Sequence, residues 1–293
     1  MSRYIFLDRF LVGVLFLLMF SVLFFRSQIV AETDMNTAIA KSEKLITAGE
    51  YYQAILALKP LLISETKSEA QEQALWLAHQ LSEKVVEKVE EERSELRRRR
   101  SEYKTQVEKE RMTEAIASWW DATSEKMRVL NLLGADSGYW ADPISSFYYN
   151  EGFLQQLIDR YPESPKRALA EYYLIFDWLG SPRPETLSLT LSALHAYIEK
   201  YEKTGRAEVY KAYLDIAHIH HGLWAVMTFE GCDGGMASRL KDDTKSAEAH
   251  KAEALKYYLK YHLNPHGLPE DEGYELLKNE EEFGWSYIIY GIC

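Results

Sequence analysis

From Leu61 to Leu133 the chain contains neither glycine nor proline. A run of that length has no residue suited to positive φ and none that removes a backbone donor, so it lacks the usual means of making the tight turns a sheet needs. The whole chain is similarly poor in breakers, with 15 Gly and 8 Pro in 293 residues. The pattern predicts a helix starting near Ser68 and running through Trp76, Leu77, Leu81, Val85 and Val89. Between residues 83 and 111 there are ten basic and nine acidic side chains, and the apolar positions thin to Val89, Leu96 and Tyr103, seven apart, then Val107. One apolar residue per heptad is too narrow a stripe for a strong coiled coil. It suits a long charged helix lying largely in water, supported by pairs such as Glu95–Arg99 and Lys104–Glu108. Unbroken, the segment would approach ~100 Å, and it is the candidate surface for pairing with a second copy. The basic run Arg97 to Arg100 is surrounded by Glu90, Glu91, Glu92, Glu95 and Glu102, which reads as a solvated face rather than a phosphate or lipid site.

The N-terminus carries a different signal. Arg3 and Arg9 precede an apolar run from Phe10 to Phe25, and Arg26 and Ser27-Gln28-Ile29-Val30-Ala31 follow it. A basic start, an apolar centre and a small residue after it describe a secretory signal spanning residues 1–31. An uncleaved signal anchor is the rival reading, with Ile5 to Leu7 extending the run toward the ~20 residues that span a bilayer. No cysteine follows the run, which excludes lipoprotein modification at the usual junction. Either way the expected location is periplasmic or otherwise extracytoplasmic, and the anchored form is held in the inner membrane by residues 10–25. The remainder keeps 31 of the 34 basic and 44 of the 45 acidic residues. So acidic a surface argues against nucleic acid as a partner, since phosphate contacts need a basic face.

The rest of the chain also reads as helices. A helical hairpin is expected over 34–63, broken at Gly49-Glu50 and disturbed at its end by Pro60. Residues 134–143 form a loop. Helices are then expected over 145–161, 165–179, 184–203, 206–229, 246–263 and 270–282, with Pro162-Glu163-Ser164-Pro165 and Ser181-Pro182-Arg183-Pro184 at two junctions. This gives three regions: 1–31 as signal or anchor, 32–133 as hairpin plus long charged helix, and 134–293 as a helical domain with an insertion at 223–250.

Several stretches resemble a known family. Gly49-Glu50-Tyr51-Tyr52-Gln53-Ala54-Ile55, with Leu58 and Leu61, resembles the turn and second helix of a tetratricopeptide repeat. Tyr213, Ile216, Ala217 and His220 are similar to a first helix of such a repeat, and Ala254, Leu255, Tyr258, Tyr261 and Pro265 to its second. Arg160-Tyr161-Pro162-Glu163-Ser164-Pro165, followed by Ala168 and Ala170, resembles a junction found in tetratricopeptide-like proteins of the bacterial envelope. The matches cover about half of the chain beyond residue 31, and the 34-residue period is not sustained. The resemblance implies an all-α fold, an irregular tetratricopeptide-like α-solenoid. It implies a non-enzymatic scaffold or adaptor that holds other envelope proteins in a helical-repeat groove. Candidate groove residues are Tyr172, Tyr173, Tyr213 and His220.

Other constellations are weaker. Asp215, His218 and His221, three apart, share a helix face that could hold a metal. The better chelating spacing of four is absent, so packed or exposed imidazoles are the plainer reading, and no metal or cofactor is assigned. Gly231-Cys232-Asp233-Gly234-Gly235 and Asp242-Asp243 lack the alternating oxygens of a calcium loop. Cys232 and Cys293 could form one disulfide in an oxidising compartment. No GxSxG, HExxH, GxxxxGK[ST] or GxGxxG pattern occurs, so no catalytic residue is assigned. The alternative function is a glycan-acting envelope enzyme with a helical superstructure. That reading needs an indispensable acid in a cleft, and no segment resembles the catalytic Glu motif of lytic transglycosylases.

Overall fold

The computed structural model describes residues 36–103, 105–140, 146–176, 187–228 and 245–281. The apolar run 10–25, Cys232 and Cys293 lie outside them, and so do the expectations attached to those residues. The fold is predominantly helical and divides into two compact units, one ending at Tyr149 and the next beginning at Asn150. Among the described residues no helix is long and apolar enough to cross a membrane.

The first unit opens with α1, spanning 36–47. It ends where Gly49, at φ +73°, donates to the Ile46 carbonyl while Glu50 donates to that of Leu45, the paired bonds of a glycine-terminated helix. A Cβ at Gly49 would meet nothing, so the backbone angle, not space, favours glycine there. α2 (Tyr51–Leu62) buries Ala54, Ile55, Leu58, Leu61 and Leu62 along one stripe and continues through Pro60. α3 (Glu69–Glu102) starts where the sequence placed it, with the Ser68 side chain accepting from the Gln71 amide at 3.1 Å. Gln71 is itself buried, and its Nε2 donates to the Leu61 and Ser64 carbonyls at the end of α2. Ala74, Leu75, Ala78, Leu81, Val85 and Val89 form the buried stripe of α3, which packs against α2.

The charged segment is not one helix. α3 ends at Glu102, Tyr103 is extended, and α4 (Gln106–Leu132) begins anew. The break uses no glycine or proline. Thr105 accepts from the Glu108 amide, and the Glu108 carboxylate accepts from the Thr105 amide, a reciprocal capping box. Arg99 and Arg100 in the last turn of α3 and Glu108 in the first turn of α4 suit the two helix dipoles that meet there. The helices run antiparallel: Trp119 Nε1 on α4 donates to Glu92 on α3 at 3.0 Å. The 34 residues of α3 therefore span about 50 Å rather than the whole segment spanning twice that. The expected Glu95–Arg99 pair forms at 2.7 Å, and the Lys104 side of the other pair is outside the described residues.

A second correction lies at residues 137–149. In place of a loop and the start of a helix there is a two-stranded hairpin, β1 (Ser137–Trp140) against β2 (Ser146–Tyr149), with Ser137 opposite Tyr149 and Tyr139 opposite Phe147. Phe147 and Tyr149 alternate inward, a two-residue period that suits a strand. Phe147 packs on Trp120, with ring centroids 4.8 Å apart, and its amide donates to Glu90 at 3.1 Å.

The second unit contains α5 (Gly152–Arg160), α6 (Arg167–Tyr173), α7 (Leu187–Tyr201), α8 (Ala207–Thr228), α9 (Ala247–His262) and α10 (Gly273–Lys278). α6 and α10 are shorter than the sequence suggested. Glu202–Thr204 forms one 3-10 turn, and Gly205 at φ +61° redirects the chain into α8. The α8–α9 pair is the main interface of this unit, with α7 and α10 packed against it. Leu194, Ile216, Leu223, Trp224, Ala254, Tyr258 and Leu277 form its centre. Ala217 and Ala254, both fully buried, let the two long helices approach closely.

Candidate functional site

α8 carries most of the chemistry-bearing residues, and its core stripe decides where they go. Asp215, His218 and His221 lie on one side of the helix as the spacing predicts, yet they do not converge on a common point. Asp215 accepts from the Tyr172 hydroxyl of α6 at 2.6 Å. His218 Nε2 lies 2.9 Å from Asp271, just before α10. His221 Nδ1 lies 3.0 Å from the Tyr258 hydroxyl of α9, and its Nε2 lies 3.1 Å from the Glu281 carbonyl. Three neighbours on one helix thus reach three other segments.

The electrostatics follow from burial. Burial pushes the Asp215 carboxyl up to about 6, against the opposing Tyr172 hydrogen bond and the nearby His218. The Tyr172 hydroxyl is pushed up too, by burial and by the Asp215 charge. Burial also raises Asp271, but the hydrogen bond and charge of His218 outweigh it and hold the carboxyl below its ordinary range. Burial lowers His221 to about 4 despite the Glu281 carbonyl. These groups stitch helices together, and their polar atoms meet one another inside the unit.

Of the four candidate groove residues, two are core. Tyr213 is buried, its hydroxyl donates to Glu202 at 2.5 Å, and the Lys260 ammonium lies 4.7 Å from its ring centre. His220 is buried at 2% exposure, with Nδ1 2.9 Å from Nδ1 of His250. Tyr172 is half-buried, and Tyr173 is exposed.

Tyr172 and Tyr173 begin a run of rings that continues through Tyr197, 5.8 Å from Tyr172, to Tyr201, a further 4.9 Å on. A second run links Tyr210, Tyr213, Tyr257 and His195 at 5.7–6.0 Å steps. Lys200 covers Tyr201, and Lys256 covers Tyr257. Tyr201 and Tyr210 are half-buried, so both runs reach the surface.

Sequence reasoning missed His250, Asp271 and Tyr257 as members of these networks. Their partners lie 30, 53 and 62 positions away, respectively, and no local spacing encodes that. No protein-family model, no curated protein and no solved structure matches this chain.

Proposed function

We propose that the chain is a non-enzymatic scaffold of the cell envelope that holds another protein against the tyrosine-rich surface of its second unit. The observation that carries this reading is the pair of aromatic runs, which bring Tyr173, Tyr201 and Tyr210 to the surface beside Lys200 and Lys256. Tyrosine supplies large contact area with a polar tip and little rotamer freedom to lose, which suits the centre of an interface. The hydrogen bonds of Asp215, His218 and His221 support the same reading, because they commit these groups to holding helices together. The resemblance to tetratricopeptide repeats adds a precedent for this use of paired helices, and the apolar run 10–25 supports an extracytoplasmic location.

The test is in-cell crosslinking of the tagged full-length protein, with mass spectrometry of the captured proteins, alongside a Tyr173→Ala/Tyr210→Ala variant. A small reproducible set of envelope proteins, depleted severalfold by the variant, supports the proposal. Capture unchanged by the variant places binding on another surface, and capture of nothing above background removes the scaffold reading.

A further inference from the structure

His220 and His250 make a contact unlike the other imidazole contacts of the second unit. Their Nδ1 atoms are 2.9 Å apart, and both rings are withdrawn from water, at 2% and 0% exposure. The ring centroids are 5.1 Å apart. That is the separation expected when two rings meet nitrogen to nitrogen, end on rather than stacked. Two nitrogens bound to one metal ion would aim at a third point, not at each other. The geometry is that of a single shared proton: one Nδ1–H donates and the other Nδ1 accepts through its lone pair. A proton added at Nε2 of the donor ring leaves this bond in place, but with both rings charged two N–H donors would face each other at 2.9 Å, and the contact cannot hold both.

We propose that the His220–His250 pair is an acid-operated latch on the α8–α9 interface, closed while one ring keeps the Nδ1 lone pair that accepts from the other and opened when both rings are charged. His250 stands in the first turn of α9, so opening begins at that end. The groups around the pair resist the second proton within the closed state. Burial, His250 itself, Lys245 ahead of α9 and His195 on α7 all disfavour charge on His220. Glu253, one turn along α9, favours it, and Glu253 is already paired with Lys256 at 2.9 Å. Acid therefore acts by drawing the equilibrium toward an opened form in which the imidazoles take up protons freely. His221 responds in the same direction, since burial holds it low as well. His218 ties α8 to Asp271 through a contact that does not involve the pair. The latch should therefore release the N-terminal turns of α9 while the Asp271 end of the unit stays attached.

The experiment is hydrogen–deuterium exchange on the full-length protein between pH 7 and pH 4.5, with rates corrected for the intrinsic effect of pH. Peptides covering 247–254 are compared with peptides from α5. The two rings of the opened pair take up one proton and then a second, so protection of 247–254 should fall by about tenfold to about hundredfold per pH unit below about 6.5, beyond any change in α5. In a His220→Leu/His250→Leu variant that excess should vanish. Should that variant not fold, the wild-type imidazole nitrogen signals decide alone. Both rings titrating near the ordinary histidine value, or 247–254 changing only in step with α5, overturns the proposal. One ring staying neutral well below pH 5 supports it.

Discussion

The two units solve the same packing problem with different partners. In the first, the core between α2 and α3 is aliphatic and small, built from Ala54, Ile55, Leu58, Ala74, Leu75 and Ala78. The buried polar groups of that core bond close by in sequence, Ser82 donating to Ala78 and Gln71 capping the carbonyls of Leu61 and Ser64; the remote bonds of this unit, Phe147 to Glu90 and Trp119 to Glu92, lie outside the α2–α3 core. In the second, tyrosines, histidines and aspartates enter the core and find partners 30 to 60 residues away. A local bond needs only its own stretch of helix to form. A remote one exists only once the helices are packed, and losing it strands a buried polar group. The second unit should therefore respond more strongly to single changes and to pH than the first.

The sharpest way to break this contrast is at Gly273. A Cβ there would lie 2.2 Å from the Tyr258 hydroxyl oxygen and 2.8 Å from an Asp271 carboxylate oxygen. Those two groups hold His221 and His218, so one methyl group presses on two remote contacts at once. Gly273→Ala should cost about 3 kcal/mol, at the upper end for overpacking, measured by urea unfolding followed by circular dichroism. Tyr258→Phe in the same background should recover part of the loss, because the nearest colliding atom is gone. A Gly273→Ala protein as stable as wild type would show that the second unit tolerates disorder in its polar contacts.

Asp215 tests the pH half of the contrast. Its carboxyl titrates near 6 in the folded chain against a reference of 3.8. A raised carboxyl favours the fold fully below the unfolded value, and that contribution is lost as pH rises through the folded value. At pH 7.5 the buried charge is therefore a net burden of a few kcal/mol at most. Asp215→Asn can still accept from Tyr172, so it should stabilise by about 2 kcal/mol at pH 7.5 and by almost nothing at pH 4. Urea titrations at the two pH values read the difference. Equal effects at both would mean that the carboxylate is better solvated than its surroundings suggest.

The same division between local and remote explains what the sequence made legible. The helical character, the start of α3 at Ser68, the turn at Gly49 and the inward stripe of α2 all follow from neighbours within four residues. The Asp215, His218 and His221 stripe was visible, but its three separate destinations were not, because α6, α9 and the segment before α10 supply them. Phe147 and Tyr149 form a strand within a chain otherwise read as helix. Four residues are too few for a period of two to stand out against that background, and the supporting contacts from Trp120 and Glu90 lie 27 and 57 positions away. The break at Tyr103 was different: Thr105 and Glu108 carry the spacing of a capping box, and the absence of glycine and proline masked it.

That break offers the mildest test, because it rests on a local device at an exposed position. Thr105→Ala removes the hydroxyl that accepts from the Glu108 amide and should cost about 1 kcal/mol. The loss should appear as faster exchange in the first turn of α4, with α8 and α9 unchanged. The remaining ties of the hairpin, Trp119 to Glu92 and the buried Met112, do not involve Thr105. The fold-back should therefore survive in the variant. Spin labels at Ser94→Cys and Ala117→Cys, with Cys232 and Cys293 replaced by serine, measure it directly. A hairpin brings the two exposed sites near each other, whereas one continuous helix would hold them roughly 35 Å apart. A short distance in both backgrounds would show that tertiary contacts hold the turn and that the cap only sharpens it. A long distance in Thr105→Ala alone would give the capping box the deciding role.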